Sequence, residues 1–424
     1  MIFRQMNNLI LLVVVLSLIA STSCFAESPT LNVRDFGAQG DGVKKDTAAI
    51  QKALDVCAAG GGGTVWVPAG QYLTGSLVLP ANIALKLDVR ATLTGSPDLT
   101  DYPLVNVRWE GEFCPGHRAL ISATDATNIA ISGGTIVGPP LALSKLRNPR
   151  GPVLIELTGC TNVLLDGFTT KFQQLWSIHT LFCNALIGRN LNIQSEYANG
   201  DGIDVDSCDG VTIEHCEIHA GDDAIALKSG RGLAAQNLLR PTQNVVIRDC
   251  HLESSLFAAL GLGSEMSGGI RNVKIQNCVI AGRQNAIFIK SREGRGGFIE
   301  NISGENIAVL ESPTFIGIDL INKGIQAHDP VPGDVDKWPL VQNIRFKNIQ
   351  VQNVAKLVVG TNIPATRALK GFMLANITGT CSHAISIANM TDVDFSHIGV
   401  SGFVGSLVSA TNVQGGGLDD SARN

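Results

Sequence analysis

Charge and aromatic rings are scarce in this chain. Asp, Glu, Lys and Arg make up 16% of its 424 residues, and Phe, Trp and Tyr only 5%. The formal net charge is −5. Nucleic-acid binding relies on a basic face to neutralise phosphates, so this composition argues against such a partner. No Cys-x-x-Cys pair occurs, which removes the usual ligand spacing of a structural zinc site, and no metal site is expected. Beyond residue 26 no apolar run is long enough to span a bilayer.

The apolar run Leu9–Ala20 follows Arg4 and leads to a small residue at Ala26. It is shorter than the roughly 20 residues a spanning helix needs, and reads as a secretory signal peptide cleaved near Ala26. Residues 27–424 would then form one secreted or periplasmic unit. A retained membrane anchor and a lipoprotein signal at Cys24 are the alternatives, although for the latter Ser21 stands where such signals usually carry an aliphatic residue. Cleavage would leave nine of the ten cysteines, an odd number that cannot all pair. Cys160, Cys216, Cys250 and Cys278 fall within or beside the repeats described next, and are expected as buried free thiols.

What the chain has in quantity is glycine (46 residues) and apolar residues (45%). It also repeats. "NIAISGG" at 128 returns as "NVLLDGF" at 162, "NALIGRN" at 184, "GVTIEHC" at 210, "NVVIRDC" at 244, "NVKIQNC" at 272 and "NISGENI" at 301. "NIRFKNI" at 343, "GFMLANI" at 371 and "DVDFSHI" at 392 complete the series. The spacing runs from 21 residues (371 to 392) to 42 (301 to 343). A fixed floor with variable excess fits a solenoid of β-coils with surface insertions, and period-2 alternation makes the repeats strands. The fold class expected is an all-β parallel β-helix. The segment "DTAAIQKALDVCAAGGGG" from Asp46 breaks the pattern: Ile50, Ala53, Leu54 and Cys57 share a helical face, with Asp46 as N-cap and Gly60 as stop. A solenoid needs its open end covered, so this helix reads as the N-terminal cap, with coils beginning at "TVWVPAGQYLTGSLVL".

A second repeat, apolar-x-apolar-x-Ser, ends at Ser207, Ser229, Ser264 and Ser291. Stacked on successive coils, these serines form one column. Two places before each first apolar residue lies another: Asp201, Asp223, Ala258, Asn285. Parallel strands lie about 4.8 Å apart, so Asp201 and Asp223 should be neighbours, with Asp222 beside them at a turn. Three acids then converge at the lip of one sheet, with Asp206, Lys228 and Lys290 nearby. Crowded carboxyls divide into one that keeps its proton and others that stay charged, as glycoside hydrolysis requires. A calcium site is the competing chemistry, and with it a lyase using Lys228 or Lys290 as base. A non-catalytic carbohydrate-binding β-helix is the third reading.

"NGDGIDVDSC" (199–208), "GDDAIALKSG" (221–230), "GSEMSGG" (263–269) and "IKSREGRGG" (289–297) resemble the polygalacturonases, inverting glycoside hydrolases that act on pectin. "VRDFGAQGDGVKKDTAAIQKALD" (33–55) is similar to that family's N-terminal segment. The resemblance implies a single right-handed parallel β-helix, a pectic polysaccharide or oligosaccharide as substrate, no cofactor, and a monomer is expected. It implies that Asp222 is the general acid, that Asp201 and Asp223 hold and deprotonate water, that Asn199 orients them, and that Lys290 binds a galacturonate carboxylate. Endo-acting members usually carry histidine at the place of Ala258 and arginine at the place of Phe288. With those absent, Lys228, His179, Arg231, Arg292 and Arg295 are the expected further substrate contacts. Trp109, Glu110, His117, Arg118 and Trp176 are softer candidates for the cleft, Trp109 in a loop, and Glu265 has no role beyond a hydroxyl contact. Insertions at Ser229–Gln243 and Thr314–Trp338 read as long loops that would wall the cleft and favour exo-attack.

Overall fold

A computed structural model describes residues 29–173, 175–195, 197–324 and 337–423. The proposed signal peptide lies outside the described residues, as do residues 325–336 of the second insertion. Among the described residues, consecutive coils stack as parallel strands into a β-helix, in one continuous sheet apart from a single antiparallel hairpin.

The repeat explains the fold column by column. Ile129 pairs with Val163, Val163 with Leu186, Leu186 with Val211, and Val211 with Val245. The column continues through Val273, Ile302, Ile344 and Phe372. Every member is buried. Residues on either side along each strand point outward, which is the alternation read from the sequence. Each coil cannot bury its apolar edge alone, so stability comes from stacking; truncating one of these residues to alanine costs about 2–5 kcal/mol. The positions just before the inward residues carry side-chain ladders. Asn272 donates to Asn244, Asn301 to Asn272 and Asn343 to Asn301, at 3.0–3.1 Å. These asparagines have φ near +56°, a left-handed conformation that asparagine tolerates well.

The register corrects one repeat. "NALIGRN" aligns one residue later than the pattern placed it: Leu186, not Ala185, stacks on Val163, and Ala185 takes the left-handed position of Asn162. The cap is helix Thr47–Ala59 with Ile50, Ala53, Leu54 and Cys57 buried. Asp46 stands at its N-cap but makes no capping bond. Its carboxylate accepts instead from the amides of Gln39 and Gly40, at 2.7 and 2.9 Å, closing the loop before the helix. Coils also begin earlier than expected, because Thr30–Asn32 already pairs with Gly63–Val67.

The described parts of both insertions hold regular structure. Ser229–Gln243 contains the helix Gly232–Leu238. Thr314–Asp319 is a strand paired with Asn285–Lys290, so the coil repeat continues into the segment read as a loop. All nine cysteines described are free, and eight of them are buried. No helix among the described residues is long and apolar enough to cross a membrane.

Candidate active site

Six strands carry the site: Ile178–Leu181, Ile203–Asp206, Ile225–Lys228, Ala258–Leu262, Asn285–Lys290 and Thr314–Asp319. They pair in that order. Pairing of Asp206 with Lys228 sets Ser207 and Ser229 one place beyond, pairing of Leu262 with Ile289 sets Ser264 and Ser291 two places beyond, and all four are buried. The ladder runs on through the acids: the Gly202 amide donates to the Asp223 carbonyl at 3.0 Å and that of Ala224 to Ala258 at 3.2 Å.

Glycine decides how close the acids come. A Cβ on Gly221 would lie 2.0 Å from the Tyr197 carbonyl, and one on Gly200 would lie 2.4 Å from Ser195 Oγ. Without side chains there, the turns 199–202 and 221–224 press together. One carboxyl oxygen from each of Asp201, Asp222 and Asp223 lies within 4.8 Å of the others. Gly261, one coil on, leaves the Asp223 carboxylate its place: a Cβ there would stand 2.3 Å from Oδ2.

Two lysines face this group. Lys228 Nζ lies 2.5 Å from Asp204 and 3.3 Å from Asp201, and Lys290 Nζ lies 2.6 Å from Asp223. Burial opposes the charge on Lys228, but Asp204 and Asp201 outweigh it and hold the ammonium well above its usual range. One lysine compensates one carboxylate. Asp204 makes the closer contact, and Asp201 is pushed well above the ordinary carboxylate range by burial and by the Asp204 charge. The second set repeats this logic. Lys290 compensates Asp223, while burial, Asp201 and Asp223 push Asp222 up to about 8. Asp222 therefore carries a proton at neutral pH. The same lysines weaken the case for a calcium site here, since their ammonium groups already occupy oxygens a cation would need.

The cleft over the acids has a volume of about 340 Å³. Asn199, Lys228 and Lys290 line it, as do Trp109, Glu110, Trp176, Glu265 and Phe288. Trp109 is not in a loop: it ends strand Leu104–Trp109 of the hairpin formed with Glu112–His117. Glu110 and Gly111 both have positive φ, the geometry of a two-residue hairpin turn. The hairpin lays Trp109 on Trp176 at 4.1 Å between ring centroids, and Lys228 Nζ lies 3.8 Å from the Trp176 ring centre.

Four of the expected substrate contacts lie outside the lining of the cleft. His179 is 1% exposed beneath Trp176, between Glu156 and Asp206, which raise its imidazole to about 9 against the effect of burial. Arg295 is fully buried; with Lys228 and Lys290 it holds Glu265 below its ordinary value, although burial pushes the other way. Arg231 pairs with Glu112 at the hairpin tip, where its amide also donates to the Gly111 carbonyl at 3.3 Å. Arg292 donates to the Gly324 carbonyl at 2.9 Å. All four brace the cleft rather than lining it. His117 is buried with Nδ1 2.6 Å from the Tyr102 carbonyl, and Arg118 lines a separate groove.

The sequence reading missed Asp204, Arg108, Phe257, Gln284, Asn322 and Lys323. Asp204 alternates with Ile203 and Val205, and its outward position was legible. Arg108 pairs with Asp206 at 3.3 Å from the hairpin, a contact no strand pattern carries. Gln284 precedes Asn285 as Asp222 precedes Asp223, so the column of acids already pointed to it. Asn322 and Lys323 follow the strand that was read as loop.

A parallel β-helix whose lip gathers raised carboxyls, a lysine-paired carboxylate and flanking ammonium groups in an open cleft has the parts of a glycoside hydrolase. Residues 57–390 match the profile of Glycosyl hydrolases family 28, and the chain belongs to that family. A probable polygalacturonase of Vitis vinifera is 30% identical over 377 residues, covering 85% of this chain and 75% of the relative. In structure, the chain is similar to a hyperthermoactive exopolygalacturonase of Thermotoga maritima, with a TM-score of 0.71, 24% identity, and coverage of 91% and 92%. It is also similar to a family 28 exopolygalacturonase of Yersinia enterocolitica, with a TM-score of 0.79, 22% identity, and coverage of 92% and 78%. The two structural likenesses concern the fold.

Proposed function

We propose that this enzyme is a secreted hydrolase of galacturonic-acid-containing pectic chains that releases short products from a chain end. The observation that carries the hydrolytic reading is the division of the acids: Asp222 raised to about 8, Asp223 beside Lys290. Asp222 donates its proton to the leaving glycosidic oxygen. Asp223 takes a proton from the attacking water, and Asp201, next to it, holds that water in place. Asn199 orients the group from the rim. Lys290 and Lys323, both lining the cleft, supply positive charge for a galacturonate carboxylate, Lys323 in place of the arginine that Phe288 lacks.

The carboxyl oxygens lie closer than the roughly 6.5–9.5 Å usual between the acid and base of an inverting pair. Inversion here rests on two acids holding one water beside the general acid. The exo reading rests on the hairpin, whose tip meets the insertion after Ile225–Lys228 through Arg231, Gly111 and Glu112 and walls one side of the cleft. Export rests on the apolar segment before Ala26.

Chromatography and proton NMR of early products from polygalacturonate, with a chelator present, test this. Monomer or dimer alone, with the anomer inverted at first release, is the expected result. A ladder of mixed lengths defeats the exo reading. An unsaturated product, or activity restored only by calcium, defeats the hydrolytic mechanism.

A further inference from the structure

Away from the cleft, on the outer face of two neighbouring coils, lies a cluster of two imidazoles and two carboxylates. Strand Glu217–Ala220 pairs with His251–Ser254, which sets Glu217 beside His251 and His219 beside Glu253. Ile218, Ala220, Leu252 and Ser254 point inward, so the four polar side chains share the outer face, each about a third to a half exposed. His219 Nε2 and His251 Nδ1 both lie 2.8 Å from the same oxygen, Glu217 Oε1. The other ring nitrogen of His219, Nδ1, lies 2.9 Å from Glu253 Oε2.

We propose that Glu217, His219 and His251 bind one Zn²⁺ ion, with Glu253 as the outer partner that orients His219. The electron count motivates it. Both ring nitrogens of His219 face carboxylate oxygens, and a ring with one N–H satisfies only one of them, which sets a nitrogen lone pair against an oxygen lone pair at the other. A cation between them removes that conflict and uses both lone pairs. The carboxylate behind a ligating imidazole is the usual way a metal-bound histidine is held in one tautomer. Two nitrogens and one oxygen suit zinc, whereas calcium and magnesium take oxygens alone. A tetrahedral ion with bonds of about 2.0–2.1 Å needs its ligand atoms roughly 3.3 Å apart. The three atoms lie within 4.8 Å, and the two 2.8 Å separations open by about half an ångström on binding. Half-exposed side chains make that adjustment without moving the sheet, and water completes the fourth position. The ligands come from stacked coils, which is why no Cys-x-x-Cys or His-x-x-His spacing announced them.

The ion would clamp these two coils just before the turn that carries the catalytic acids. Asp222 follows His219 by three residues, and Ser254 Oγ donates to the Asp222 carbonyl at 2.5 Å. The site is a brace and touches no reacting atom.

The test uses untagged, chelator-stripped enzyme carrying Cys114→Ser, which removes the half-exposed thiol as a competing ligand. Calorimetric titration with Zn²⁺ should give one ion per chain at micromolar affinity or tighter, with a rise in Tm. His219→Ala and His251→Ala should each abolish that binding, and Glu253→Gln should weaken it about tenfold or more. Circular dichroism establishes that each variant is folded; a variant that does not fold is replaced by His251→Gln, whose amide keeps the ring's bulk. Absence of stoichiometric binding to the parent protein, or binding that survives both histidine changes, overturns the proposal. Neither readout depends on the substrate.

Discussion

Lys290 Nζ lies 2.6 Å from Asp223 Oδ2, although 67 residues separate them in the chain. Between their coils runs the strand Ala258–Leu262, and Gly261 on it leaves open the space across which they meet. Lys290 pulls against the rise at Asp222 next door, yet burial first, then Asp201 and Asp223, still push that carboxyl up to about 8.

Replacing Asp201, Asp222 or Asp223 singly by Asn should lower turnover by about two or more orders of magnitude, the share general acid–base catalysis usually supplies. The fold should persist, because these acids sit at the end of the sheet and outside the apolar column. Near-full activity in Asp222→Asn would remove it from the role of acid.

Activity should fall as pH rises through about 8, where Asp222 loses its proton. The same shift has a stability consequence of opposite use. A carboxyl whose folded value is raised stabilises the fold most below its unfolded value, near 4, and that contribution is lost as pH climbs to about 8. Asp222→Asn, which cannot ionise, should therefore melt higher than the parent at pH 8, with the difference shrinking toward pH 4. Equal melting-temperature differences at both values would show that Asp222 is not raised.

Gly261→Ala should be folded and nearly inactive. Its Cβ would occupy a place 2.3 Å from Asp223 Oδ2 and push the carboxylate off its water. Misplacing a reacting group by about 1 Å can cost about a hundredfold in rate. Steady-state kinetics should show the loss in kcat, and parental kcat would mean that the Asp223 position is not critical.

Thiol labelling of the native protein should modify Cys114 alone, with the other eight cysteines described reacting only in denaturant. A mass lower by two hydrogens before reduction would reveal a disulfide and contradict the stacked free thiols.

The sequence by itself determined the solenoid and the acids. Its inward residues recur coil after coil, so Ile129, Val163, Val211 and their successors could be stacked from spacing alone, and the column of Asp201 and Asp223 followed from the same count. Short-range alternation is dictated by the strand, whose side chains take opposite faces in turn. What spacing could not carry was anything set by an insertion or by charge balance. The hairpin that lays Trp109 on Trp176 and sends Arg108 to Asp206 has no place in the repeat, and the strand Thr314–Asp319 was hidden inside an unusually long interval. The basic residues near the motifs looked alike in sequence, yet only the fold buried His179 and Arg295, tied Arg231 and Arg292 to the cleft wall, and left Lys290 over the acids. A side chain's partners depend on which coil lies against it and on how far water is excluded, and both are properties of the assembled helix rather than of the local chain.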